Sequence, residues 1–156
     1  MVNRKKQTAL SPLEAHLGFW LRFVSNHVSS RFQQLLEDKG VTVTEWVALR
    51  TLWSQDETTH AELIRALGMT KGAASKVVSR LEEKGLAGRQ LADGRAREQS
   101  LSLTAAGKDL VPQLAALADA NDAHFFGHLP AAERDALTQS MKALVQRHQL
   151  KEIPTA

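Results

Sequence analysis

Thr59-His60-Ala61-Glu62-Leu63-Ile64-Arg65-Ala66-Leu67-Gly68-Met69-Thr70-Lys71-Gly72-Ala73-Ala74-Ser75-Lys76-Val77-Val78-Ser79-Arg80-Leu81 is the stretch whose reading decides the fold. Thr59 and Glu62 stand at capping-box spacing, which predicts a helix opening there and carrying Leu63, Ile64 and Leu67. Gly68 ends that helix in the manner of a C′ glycine. Thr70 then caps a second helix, 70–84, closed by Gly85. Two short helices joined by a tight glycine-containing turn form a helix-turn-helix, a pattern that generic helical hairpins share. The residues after Gly85 narrow it. Leu86-Ala87-Gly88-Arg89-Gln90-Leu91 and Gln99-Ser100-Leu101-Ser102-Leu103 read as strands, and Asp93-Gly94 between them is a hairpin signal because both residues tolerate positive φ. A hairpin directly after the second helix is a wing, spanning 86–103.

A helix that enters a DNA major groove needs a small or polar leading face, donors for phosphates and base edges, and an apolar rear face. The 70–84 helix meets all three. Ala74, Val77, Val78 and Leu81 form its buried side, and Thr70, Lys71, Gly72, Ser75, Lys76 and Ser79 its outward side. Gly72 costs a helix roughly 1 kcal/mol relative to alanine, a cost that makes sense where something must approach closely. Arg80 adds a further cation, and Arg89, Arg95 and Arg97 lie on or beside the hairpin. Arginine suits a minor groove because its planar fork meets phosphates and base edges. A salt bridge from Asp93 to one of these arginines is the blander alternative for the tip.

Outward from this unit, apolar residues from Leu13 through Leu17, Trp20, Leu21, Val24, Val28 and Phe32 to Leu36 recur at three and four, predicting a long helix over 11–38 that stops at Gly40. Its stripe is long enough to face both a core and a partner. Val41-Thr42-Val43-Thr44-Glu45-Trp46 repeats the capping-box pattern with staple positions at Val41 and Trp46, predicting a helix over 43–54. Thr104 opens a fifth helix with Leu110, Leu114, Leu117, Asn121 and Phe125 on one stripe, where Asn121 reads as a partly wet edge and Pro112 as a bend. Pro130 restarts the chain for a sixth helix carrying Leu137, Met141, Leu144 and Val145. The expected fold class is mainly α with a small β-hairpin wing. The expected organisation is a flexible basic tail (1–10), a winged helix-turn-helix domain (41–104), and a helical region (11–40 and 105–150) flanking it.

Composition sets the outer bounds. The chain has 156 residues, 43% hydrophobic and 24% charged, which suits one soluble globular unit. Cysteine is absent, excluding disulfides, thiolate metal sites and cysteine catalysis. No run of about 18 apolar residues and no signal-peptide pattern occur, so a cytoplasmic location is expected. The net charge is only +3, yet between Arg65 and Arg97 eight Lys/Arg stand against three acids. A basic middle between near-neutral ends is the footprint a polyanion partner needs.

Taken in order and spacing, several strings resemble the multiple-antibiotic-resistance regulator (MarR) family of bacterial transcription factors over about residues 11–150. They are Val41-Thr42 with Glu45-Trp46 and Leu49; Thr59-His60-Ala61-Glu62-Leu63; Leu67-Gly68-Met69-Thr70; Val77 with Arg80-Leu81-Glu82-Glu83-Lys84-Gly85-Leu86; and Leu103-Thr104-Ala105-Ala106-Gly107. The resemblance implies a homodimer interlocked by its first and last two helices, with Leu13, Leu17, Leu137, Met141 and Leu144 at the interface. It implies double-stranded DNA as partner, at a pseudo-palindromic operator, with one recognition helix per major groove and wings in the flanking minor grooves. Thr59 joins the outward residues of 70–80 and the hairpin arginines as a candidate DNA contact. It also implies repression relieved by a small aromatic or phenolic effector, with Trp20, His27, Trp46 and Arg50 bordering the pocket. The sequence departs from the family at the wing. Counting back from Leu103-Thr104, the usual wing aspartate falls on Arg95 and the usual wing arginine on Arg97, so both arginines are candidates for the groove.

Other constellations are weaker. His124 and His128 are four apart, a spacing that can bind zinc on a helix, but no third ligand is identifiable and surface histidines are the simpler reading. Trp20 and Trp46 read first as core. No phosphate-cradling glycine loop, nucleophile motif or paired-carboxylate frame is found, so neither an enzyme nor a cofactor is expected. The function expected is a homodimeric, sequence-specific, effector-released repressor. The alternative is a winged-helix module for DNA architecture or protein interaction without effector control.

Overall fold

The computed structural model describes residues 9–91 and 99–151. Among them, a 3-10 turn at Leu13–Ala15 precedes α1 (Leu17–Glu37), α2 (Val43–Trp53), β1 (Thr58–Thr59), α3 (His60–Leu67), α4 (Lys71–Glu83), β2 (Ala87–Leu91), β3 (Gln99–Leu103), α5 (Ala105–Phe126) and α6 (Ala131–Arg147). The fold is mainly helical with a small antiparallel sheet, as expected. The Asp93-Gly94 turn, Arg95, Arg97 and most of the basic tail fall outside the described residues. No described helix is long and apolar enough to cross a membrane.

The caps read from sequence form as hydrogen bonds. Thr42 and Glu45 close a reciprocal capping box on α2, and Thr59 and Glu62 another on α3. Thr70 Oγ1 accepts from Ala73 N (3.2 Å) to start α4. The end of α4 is a Schellman turn: Leu86 N donates to Leu81 O and Gly85 N to Glu82 O, both at 2.9 Å. Gly85 sits at φ +68°, the left-handed conformation this turn requires.

Three expectations about these elements are corrected. The first helix does not run unbroken from residue 11, because His16 is extended (φ −93°, ψ 125°) between the 3-10 turn and α1. Periodicity missed the break because Leu13 and Leu17 keep helical spacing across it. Among the described residues the sheet has three strands rather than two, in the order β1-β3-β2, with Thr58 opposite Leu101 and Thr59 opposite Ser100. A two-residue strand has no periodicity of its own and exists only through its partner. β2 also starts one residue later than expected, because Leu86 completes the Schellman turn.

The core lies under the helix-turn-helix. Leu36, Leu49, Leu63, Leu67, Ala74, Val78, Leu81, Leu101 and Leu114 are essentially inaccessible to solvent and form one cluster joining α1 through α5 and the sheet. Two polar ties lock it. Glu45, buried with the core, accepts from Lys84 Nζ at 2.7 Å, and the same ammonium donates to Gly40 O at 2.7 Å. One lysine thus fastens the end of α4 to the start of α2 and the end of α1. Thr104 Oγ1 donates to Gly85 O (2.6 Å) and its N–H to Leu86 O (3.0 Å), closing the base of the wing.

Asn121 is not the wet edge expected on α5. It is buried, accepting from Arg31 Nη1 (2.9 Å) and donating to Val28 O (3.1 Å). A carboxamide satisfied on both sides pins α5 to α1. α5 runs through Pro112 as one helix. α6 buries none of its residues.

Gly107, in the first turn of α5, is where α5 meets the end of α4. A Cβ there would lie 2.1 Å from Leu86 O, a backbone atom that cannot retreat without opening the wing base. Gly107→Ala is therefore expected to destabilise the fold by about 1–3 kcal/mol. Chemical denaturation of the two proteins checks this, and equal midpoints would contradict the close approach.

Candidate nucleic-acid interface

α4 owes its orientation to its rear face. Ala74, Val77, Val78 and Leu81 are all 5% exposed or less. Burying such side chains stabilises by about 1.5–3 kcal/mol for each large one, so the helix cannot rotate without losing several of them at once. The opposite face is thereby fixed outward. Thr70, Lys71, Gly72, Lys76, Ser79 and Arg80 are exposed, and Ser75 is half-buried at the edge. Ser75, Lys76, Ser79, Arg80 and Glu83 line a shallow concavity of about 330 Å³ along this face. Lys71, Lys76 and Arg80 form no ion pair among the described residues, leaving three cations for phosphates or base edges.

The candidates are not all of one kind. Thr59 Oγ1 is used by Glu62 N (3.2 Å), so its first task is to start α3. Arg89 lies along the domain surface: Nε donates to Glu82 Oε1 and Nη2 to Ser79 Oγ (3.3 Å). It clasps the first wing strand to α4, fixing the angle between the two. Glu82 is the other half of that clasp. Arg95 and Arg97 lie outside the described residues.

At the far end of the molecule, α1, the end of α5 and α6 enclose an open groove of about 840 Å³, walled by Leu17, Trp20, Leu21, Val24, Val28, Phe125, Phe126, Leu137 and Met141. Phe19, Trp20 and Phe23 form a ring cluster beside it, and Phe23 stacks on His27 with centroids 5.1 Å apart. Of the four effector candidates, Trp20 lines this groove. It is about half exposed rather than a core residue, and its Nε1 donates to Glu14 O (2.8 Å). Trp46 packs edge-on to Phe32 against the core, and Arg50 bonds Ser54 on the surface. Neither lines the groove. Of the interface candidates, Leu13, Leu17, Leu137, Met141 and Leu144 are all exposed in the single chain. Sequence reasoning missed the aromatic wall at Phe125 and Phe126, although Phe125 sits on the stripe of the fifth helix. His124 and His128 are exposed, and no group of three potential metal ligands gathers among the described residues.

The sequence profile of the MarR family matches residues 39–98, from the end of α1 to the wing. An HTH-type transcriptional repressor of Mycobacterium tuberculosis is 28% identical over 131 residues, covering 84% of this chain and 94% of that protein. Among solved structures, CouR from Rhodococcus jostii, bound to p-coumaroyl-CoA, superposes with a TM-score of 0.75 at 23% identity, covering 93% of this chain and 99% of CouR. BpsR from Bordetella bronchiseptica, whose DNA binding is regulated by 6-hydroxynicotinic acid, gives a TM-score of 0.74 at 23% identity, covering 87% of this chain and 97% of BpsR. The two structural likenesses speak to the fold.

Gly72 offers a direct probe of the outward face. A Cβ there meets nothing within 4 Å, so no packing inside the chain demands glycine. Gly72→Ala is expected to raise stability by up to about 1 kcal/mol and to weaken DNA binding. Paired thermal melts and DNA titrations check this. A gain in stability with unchanged affinity would mean that no DNA backbone comes close at this position.

Proposed function

The chain belongs to the MarR family of winged helix-turn-helix transcriptional regulators, which are not enzymes, and from that premise we propose that it is a homodimeric repressor released from its operator by a small aromatic ligand. The observation that carries the DNA half of this reading is α4 itself: core-locked on one side, and small, polar and cationic on the other. Lys71, Lys76 and Arg80 take phosphates, Ser75 and Ser79 face base edges, and Gly72 lets the backbone approach. Arg95 and Arg97 remain the candidates for the minor groove. The partner is operator DNA in the cytoplasm of a bacterial cell.

The dimer half rests on unspent apolar surface. Contiguous exposed apolar patches of this kind mark association sites in soluble proteins. α6 presents Leu137, Met141, Leu144 and Val145 to solvent, and α1 presents Leu17, Trp20, Leu21 and Val24. A second copy covering these faces sets two α4 helices at the spacing of successive major grooves, about 34–36 Å. The ligand half rests on the aromatic groove and on the ring-bearing ligands of CouR and BpsR. Trp20, Phe125 and Phe126 are its proposed walls, with His27 behind Phe23.

The test combines salt and assembly. Binding to a selected operator is expected to weaken steeply with salt, with a log–log slope near −0.9 per phosphate contact. The double variant Leu137→Glu, Met141→Glu alters a helix that buries nothing in the single chain, so each chain should stay folded. Sedimentation is expected to show a dimer for the parent and a monomer for the variant, whose operator affinity drops at least about a hundredfold as the second half-site is lost. A flat salt slope, equal affinity for any duplex, or a monomeric parent would overturn the proposal.

A further inference from the structure

His60 lies on the reading surface but takes no part in the phosphate and base contacts assigned above. It is the first residue of α3, half-buried, and its ring crosses to the recognition helix. Nε2 lies 3.4 Å from Ser75 Oγ, the hydroxyl at the edge of the outward face. Two cations stand on the same face of α4: Lys71 one turn before Ser75, and Arg89 of β2, whose Nη2 donates to Ser79 Oγ one turn after it (3.3 Å); both act against a charge on the ring. β1 and β3, which also pack near α3, carry no titratable residue, and on α2 Glu45 is taken by Lys84 while Arg50 bonds Ser54. Within α3, Glu62 is turned to the Thr59 N–H at 3.1 Å. On α4 itself, Glu82 is spent on Arg89 Nε, so Lys71 is the unpaired cation beside the ring and no described carboxylate bonds the imidazole.

That arrangement is unfavourable for a protonated imidazole and suited to an anion. Burial, then Arg89, then Lys71 hold the pKa of His60 below its ordinary value, so the neutral ring prevails in the free protein. A phosphate brought to Lys71 reverses the local field. It screens the two cations and offers an acceptor to an imidazolium N–H, a charge-assisted bond stronger than a neutral one.

We propose that His60 is a further operator contact, and that docking of a DNA phosphate at the corner formed by Lys71, His60 and Arg89 places a proton on its ring, making operator binding proton-linked. This rests on the reading that α4 enters DNA. The sign follows from the two states. The bound form has the higher pKa, so affinity is greatest below the free-state pKa. It falls as pH rises from there through the bound-state pKa. The steepest possible dependence is about tenfold in Kd per pH unit, for one linked proton. Ser75, held by the same ring, would be steadied at the base edge when the ring becomes a donor.

The experiment measures Kd for the selected operator from about pH 5.5 to 8.5 at constant ionic strength, for the parent and for His60→Gln. Glutamine keeps a hydrogen-bonding side chain next to Ser75 but cannot titrate. The parent is expected to tighten more on acidification than the variant, the gap closing at high pH. Contributions from the other histidines cancel in the difference. In parallel, the His60 ring proton is followed by NMR with and without operator DNA, and its midpoint is expected to rise on binding. That readout uses the unsubstituted protein and so does not depend on how the variant folds. Parallel pH profiles, or a midpoint that DNA does not raise, would overturn the proposal while leaving the DNA reading intact. Absence of specific binding at every pH would instead overturn the DNA reading, and this proposal with it.

Discussion

The seating of Ala74, Val77, Val78 and Leu81 in the core is the constraint on which the reading surface depends. A helix can expose one face reliably only if the other is held, and here the hold is apolar burial along its length together with ties at its ends. Thr70 caps the start, and Lys84 fastens the end to buried Glu45 and to Gly40 O. Removing the lysine would leave a carboxylate buried with only its cap bond, which is costlier than losing an exposed ion pair. The Arg89 clasp then sets the wing against the same helix. The backbone that carries Lys71, Lys76 and Arg80 is therefore held in place, so backbone ordering adds little to the cost of binding at this face.

α5 connects this reading unit to the other end of the molecule. Its 22 residues span about 33 Å. Its first turn sits on Leu86 O through Gly107, where there is no room for a methyl group. Its last turn supplies Phe125 and Phe126 to the aromatic groove. Between them, Asn121 bonds both Arg31 and Val28 of α1. Under the proposed function, a displacement at the groove would reach the junction of α4 and the wing along this helix. In the proposed dimer, ligand binding acts by changing the separation of two such junctions, and a ligand shifts that equilibrium only as far as its affinities for the two arrangements differ.

Local signals were the legible ones. Thr42, Thr59, Thr70 and Thr104 each announce a helix start through a side chain that reaches three residues ahead, and each does so in the structure. The division of α4 into a buried and an outward side follows from spacing alone. What sequence did not reveal depends on residues far apart in the chain. β1 exists because Thr58 meets Leu101, and Asn121 is buried because Arg31 stands 90 residues away to satisfy it. Arg89, a candidate DNA contact by sequence, has its partner in Glu82, seven residues back across a turn. The aromatic groove assembles from α1, α5 and α6, and no single segment carries its pattern. The wing arginines Arg95 and Arg97 lie outside the described residues.

The most direct measurement of the central claim is enrichment of genomic DNA fragments by the purified full-length protein, with sequencing of the fragments recovered. A core-locked α4 in each half of a dimer predicts recovery of a pseudo-palindrome with half-sites about one helical turn apart. Recovery of fragments without a shared motif, or of a single unpaired half-site, would contradict it.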